Sequence, residues 1–141
     1  MKKTSIVATL AIMLITACAV SGTKFSTIKA SLPSLDPELG RIFFYRPPGF
    51  GGGGLRPYVV VNDQPTKRAK PGGIFYIDTK PGRYNITAWP ALNMPLSFDL
   101  HKGEVLYVRM KMAPQGKYLQ MKVFEESVAE PFVSGLAYTG D

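Results

Sequence analysis

The chain has 141 residues, 45% of them hydrophobic and 19% charged, with a formal net charge of +7. That is enough apolar material for one core and too much for a chain disordered throughout. A single Cys and a single His exclude an internal disulfide and remove the usual ligands of metal sites and the usual partners of acid–base pairs, so no metal and no cofactor is expected.

Met1-Lys2-Lys3 is a short basic stretch, and Ile6 to Ala17 runs apolar with only Thr9 and Thr16 interrupting. About a dozen apolar residues are too few for the roughly 20 a membrane-spanning helix needs, and the run ends in small residues, as a cleaved signal peptide does. The signal peptide is read as residues 1–17. Ile15-Thr16-Ala17-Cys18 resembles the lipobox of bacterial lipoproteins: a branched apolar residue, two small residues that let a peptidase approach, then the one thiol that can take a diacylglyceryl thioether. Cleavage before Cys18 would leave 124 residues and no free Cys. Two or three acyl chains, at about 0.8 kcal/mol per buried methylene, would hold the protein on a membrane. By its resemblance to enterobacterial sorting, Ala19 after the Cys implies the outer membrane; the residues leave periplasmic and surface orientation open, and the inner leaflet, facing the periplasm, is the reading taken. Without Lys2 and Lys3, 15 basic and 10 acidic residues leave a net charge of +5, and the last stretch, Glu125 to Asp141, is the acidic one. A basic domain in the envelope meets lipid head groups or peptidoglycan carboxylates, and its address keeps it from nucleic acid.

Residues 18–39 read as the lipidated Cys and a flexible tether, rich in Ser, Thr, Lys and Pro, able to span on the order of 25 Å. Its end, Leu32 to Leu39, could instead pack on the domain edge. Residues 40–126 read as the folded domain, because period-two patterning begins there. Eight short strands are expected: Arg41–Arg46, Tyr58–Val61 closed by Asn62-Asp63, Thr66–Lys70, Ile74–Asp78, Arg83–Trp89, Leu96–Leu100, then strands centred on Leu106 to Met112 and Leu119 to Val123. Gly/Pro turns between short strands, with no helical period, argue for an all-β fold of two packed antiparallel sheets, a small β-sandwich. Glu125 to Glu130 is expected to form one helical turn that Pro131 interrupts, and the remainder of 127–141 reads as an acidic tail, although Phe132, Val133 and Leu136 are candidates to dock on a sheet edge.

Candidate contacts are few. Phe50, in the Gly-rich stretch Pro47 to Gly54, is a candidate insertion into a partner or a bilayer; a phosphate-binding loop is excluded because a strand, not a helix, follows. Lys67, Arg68 and Lys70 form the densest basic cluster, suited either to protecting a sheet edge or to contacting lipid phosphate or glycan carboxylate. Trp89 ends its strand on the side opposite Tyr84, Ile86 and Ala88 and is a candidate aromatic contact. Asp78, Asp99, His101 and Glu104 would have to gather in one pocket for an enzyme, and no acid–base pair is nominated from them.

The series Gly40-Arg41-Ile42-Phe43-Phe44-Tyr45-Arg46-Pro47, Tyr58 to Asp63, Gly73-Ile74-Phe75-Tyr76-Ile77-Asp78, Pro81-Gly82 and Gly103 to Arg109 resembles domain of unknown function 2846, a family of short bacterial proteins, often lipoproteins. The resemblance covers Gly40 to Glu126, departing at Asn62-Asp63 and in the longer Gly51–Gly54 loop. It implies a transthyretin-like or carboxypeptidase-regulatory-like β-sandwich and an envelope location, and no activity. The reading is a non-enzymatic interaction module with a protein partner in the envelope, with peptidoglycan or another glycan as the alternative ligand and an enzyme as the third.

Overall fold

A computed structural model describes residues 20–49, 54–90, 92–114 and 118–140. The lipobox residues Ile15, Thr16, Ala17 and Cys18, and Phe50, lie outside the described residues.

Among the described residues ten strands form two sheets. They are β1 (Gly40–Tyr45), β2 (Tyr58–Val61), β3 (Gln64–Arg68), β4 (Gly73–Thr79), β5 (Gly82–Trp89), β6 (Leu92–Asn93), β7 (Leu96–Leu100), β8 (Val105–Met112), β9 (Tyr118–Glu125) and β10 (Ala137–Tyr138). The larger sheet has the order β10-β4-β1-β8-β9-β6 and the smaller β3-β2-β5-β7. The molecule is therefore an all-β sandwich. The hairpin β2–β3 turns on Asn62 and Asp63, both at positive φ (47° and 64°), the geometry that matches the twist of two-residue hairpins and that Asn and Asp tolerate. Ile42, Phe44, Phe75, Ile86, Leu100 and Val108, all at most 2% exposed, fill the space between the sheets.

The larger sheet is mixed, not purely antiparallel: β1 pairs with β8 in parallel, Arg41 opposite Val105 through Tyr45 opposite Arg109. Every residue of β1 is buried, because a third layer covers the sheet's other face. That layer overturns two expectations. The segment read as tether folds: α1 (Phe25–Ile28) and a 3₁₀ turn (Lys29–Ser31) seat Phe25, fully buried, edge-on against Phe43 at 5.3 Å. The segment read as a helical turn and tail is the helix α2 (Glu126–Val133), which runs through Pro131, followed by β10. Ala129 and Val133, one helical turn apart on either side of the proline, are 1% and 0% exposed, and their burial outweighs the lost backbone bond.

The two terminal segments clasp each other. Phe25 N donates to the Leu136 carbonyl (2.7 Å), Ser26 N to that of Ser134 (3.0 Å), and Tyr138 N to that of Thr23 (2.8 Å). Lys29 reaches Glu126 (2.8 Å) and Glu130 (2.5 Å). Burial alone would pull the Lys29 ammonium down, but its hydrogen bonds to these two carboxylates prevail and hold it above the ordinary lysine value. Arg41, 7% exposed, forks onto Asp78 at 2.6 and 2.8 Å and donates to the Pro33 carbonyl at 2.8 Å, pinning the end of the same segment.

Candidate functional site

The strand ends define two poles. Gly40, Thr79, Gly82, Leu100 and Val105 lie at the lower pole; Tyr45, Tyr58, Arg68, Gly73, Trp89 and Tyr118 lie at the upper one. In the smaller sheet Tyr58 stands directly opposite Trp89, and Val60 opposite Thr87. Their neighbours Val59, Val61, Ile86 and Ala88 point into the core, so the alternation of a strand puts Tyr58, Val60, Thr87 and Trp89 on the open face. With Pro65 and Thr66 they line a groove of about 630 Å³ toward the upper pole. Trp89 is 66% exposed on its rim. Asp63 supplies the one carboxylate of the lining.

Arg68, on the edge strand β3, sits opposite Tyr58. Its guanidinium lies 4.1 Å from the centre of the Tyr58 ring and donates to the Arg56 carbonyl at 2.9 Å, a cation–π contact that fixes one wall of the groove. Lys67 donates to the Gly140 carbonyl, closing the gap between the edges of the two sheets. Lys70 lies in the β3–β4 connection, where its carbonyl accepts from Gly73 N (3.0 Å). Beneath them Arg46, 3% exposed, donates to the carbonyls of Leu55 (2.5 Å) and Ala69 (3.0 Å). Burial lowers its pKa, and the like charge of Arg56 lowers it further. Arg46 thus ties the β1–β2 connection to the β3–β4 connection and holds the upper pole in shape. The structure places Arg68 and Trp89 on either side of Tyr58, while Lys67 and Lys70 sit at the sheet edge and in the β3–β4 connection; Phe50 lies outside the described residues.

The acidic candidates gather at the lower pole, and each has a local partner. Asp78 is held by Arg41; Asp99 faces Arg83 at 3.4 Å across the exposed end of β5 and β7; Lys102 pairs with Glu38. Glu104 accepts from the His101 backbone N (2.7 Å) and lies 3.0 Å from its Nδ1, closing the turn between β7 and β8. Among the described residues no group of three or more His, Cys, Asp or Glu could hold a metal ion.

Sequence reasoning passed over Tyr58, Thr87 and Arg56. Tyr58–Val61 is an unbroken apolar run whose two faces the sequence does not distinguish, and only the register of β2 on β5 puts Tyr58 beside Trp89. No model of a known protein family matches the chain, and no characterised protein matches it in sequence.

Proposed function

We propose that this protein is a bacterial envelope lipoprotein, anchored through Cys18 in the outer membrane and facing the periplasm, whose sandwich acts as a non-enzymatic interaction module for an envelope protein. The observation that carries the reading is the groove between Tyr58 and Trp89. It is an aromatic, part-apolar surface whose one charged lining residue is Asp63, with Arg68 stacked on the Tyr58 ring beside it, and it lies away from His101 and from the paired carboxylates of the lower pole. Such a surface binds; its lining offers one carboxylate and no base beside a nucleophile. The order of strand motifs resembles domain of unknown function 2846, which is in keeping with the same class of protein. Among the described residues no helix is long and apolar enough to cross a membrane; the anchor proposed is the lipobox Cys.

The test is site-specific photocrosslinking in intact cells from Thr87, in the groove, and from Ser97, on the same face. A discrete adduct from Thr87 that is absent from Ser97 and lost in Tyr58→Ala identifies the partner; the same adducts from both sites would sink the reading. Side-by-side aromatics over a polar sheet favour a second ligand, a peptidoglycan or other glycan chain, stacked on Tyr58 and Trp89. That alternative requires the protein to sediment with purified sacculi and the Trp89→Ala variant to stay in the supernatant.

A further inference from the structure

The fold leaves almost no leash between the lipobox and the domain. Val20 lies against Gly72 and Pro48 at the upper pole. Gly22 is already packed so closely that a Cβ there would fall 2.3 Å from the Tyr138 carbonyl oxygen, and Lys24 is bridged to Ala137. Cys18 to Gly22 is four residues, at most about 14 Å of extended chain. A domain so held cannot stand clear of its bilayer.

The pole that meets the anchor also differs in charge from the rest. The stretches 42–62, 64–77, 79–98 and 105–124, which supply the strand ends of the upper pole and run on toward the lower one, contain no Asp or Glu. Lys24, Arg56, Lys67, Arg68 and Lys70 make no ion pair among the described residues, whereas Arg41, Arg83 and Lys102 at the lower pole are each paired. The exposed large side chains Trp89 (66%) and Met94 (80%) are at the upper pole as well, with Tyr118. Unpaired cations beside exposed Trp and Tyr are the composition of a membrane–water interface.

Resting on the lipoprotein reading, we infer that the upper pole lies directly on the bilayer that holds the acyl chains. Lys24, Arg56, Arg68 and Lys70 face anionic lipid head groups there, and Trp89 sits at head-group depth. Residues 20–32 are then a strap that fixes orientation, and the groove opens sideways along the membrane, toward partners in the same bilayer.

Trp89 is the chain's one Trp and reports its own depth. The acylated full-length mature protein is reconstituted in phosphatidylcholine vesicles with or without a quarter phosphatidylglycerol, and its emission is read with brominated lipids as quencher. The expected result is a blue-shifted, quenched Trp89 in the anionic vesicles, reversed in about 1 M salt, where the screening length falls to about 3 Å. Each of Lys24→Gln, Arg56→Gln and Lys70→Gln should reduce the docked population relative to the undocked roughly fivefold. Ten Gly/Ser residues inserted between Ala19 and Val20 should reduce it further. Water-like emission that ignores phosphatidylglycerol, salt and the insertion, in protein that still floats with the vesicles, would overturn the docking and leave the anchor standing. Protein from cells whose intact mass shows no lipid on Cys18 would overturn both.

Discussion

Two apolar clusters hold this molecule together, and β1 belongs to both. Its Ile42 and Phe44 face the smaller sheet, where Phe44 stacks on Phe75 at 5.3 Å. Its Phe43 and Tyr45 face the terminal segments, where Phe43 stacks on Tyr107 at 4.7 Å and meets Phe25. The first cluster is contributed by nearly every strand and cannot open without separating the sheets. The second is roofed by a four-residue helix, a 3₁₀ turn and one longer helix that join at the termini. Equal burial thus has unequal consequences: the inter-sheet cluster sets global stability, and the roof can open as a local unit.

The sharpest way to break that distinction is a matched pair of truncations. Phe44→Ala, at a fully buried position, should cost about 3–5 kcal/mol, a large share of the roughly 5–15 kcal/mol available to a domain of this size. Urea denaturation should show the whole transition moving to lower concentration. Phe25→Ala removes the same ring from an equally buried site, yet its loss should appear first as hydrogen exchange. The amides of Phe25, Ser26 and Tyr138 should lose protection while those of β2 and β5 keep theirs. If both variants lower protection everywhere alike, the roof is not a separate unit. Gly22→Ala attacks the clasp from outside the cluster by driving a methyl into the Tyr138 carbonyl; the strain should cost about 1–3 kcal/mol and expose the same three amides.

The remaining predictions are smaller and concern Tyr107, whose hydroxyl is buried beside Glu126 without a hydrogen bond of good geometry among the described residues. Tyr107→Phe removes a desolvated polar group and should be neutral or stabilising by up to about 1 kcal/mol in thermal denaturation. It should also change the alkaline limb. Burial pushes the Tyr107 phenol up, the negative charge of Glu126 adds to this, and burial likewise raises Tyr45. A group whose pKa is raised by folding binds its proton more tightly in the native state. Its contribution is complete below the ordinary tyrosine value of about 10 and drains away as pH rises through the folded value. Stability should therefore fall above about pH 10, less steeply in Tyr107→Phe, and Lys29→Met should flatten it further, because Lys29 is raised too.

The inter-sheet cluster was largely legible in the sequence and its roof only in part, through Val133 and Leu136, which dock as expected and are buried. Leu96, Phe98 and Leu100, or Leu106, Val108, Met110 and Met112, declare a buried face by alternating with polar neighbours, and Asn62-Asp63 marks its turn. Alternation carries no direction, so the parallel pairing of β1 with β8, across some sixty residues of chain, left no local trace. The unbroken apolar run Ile42 to Tyr45 was a hint of burial on both faces. The rest of the roof escaped because single residues carry it: Phe25 is one aromatic in a polar stretch, and Pro131 argues locally against the helix that Ala129 and Val133 stabilise. Of the candidate site, the edge-strand cations and Trp89 were visible singly. Their meeting at Tyr58 depends on register, which strand composition does not specify.

The clasp between the termini also determines how the molecule would bear load. Were Cys18 anchored and a partner to grip the groove, tension would enter at Gly22 and meet first the short ladder joining Thr23 to Tyr138, Phe25 to Leu136 and Ser26 to Ser134, then the Lys29 bridges to Glu126 and Glu130. Pulled from the entry pole, these bonds would be loaded one after another, as a zipper is, so that the strap peels while the sheets stay closed. The released segment, residues 20 to about 32, would lengthen the leash by up to roughly 40 Å. If Cys18 carries the anchor, the terminal clasp would yield before the sheets part.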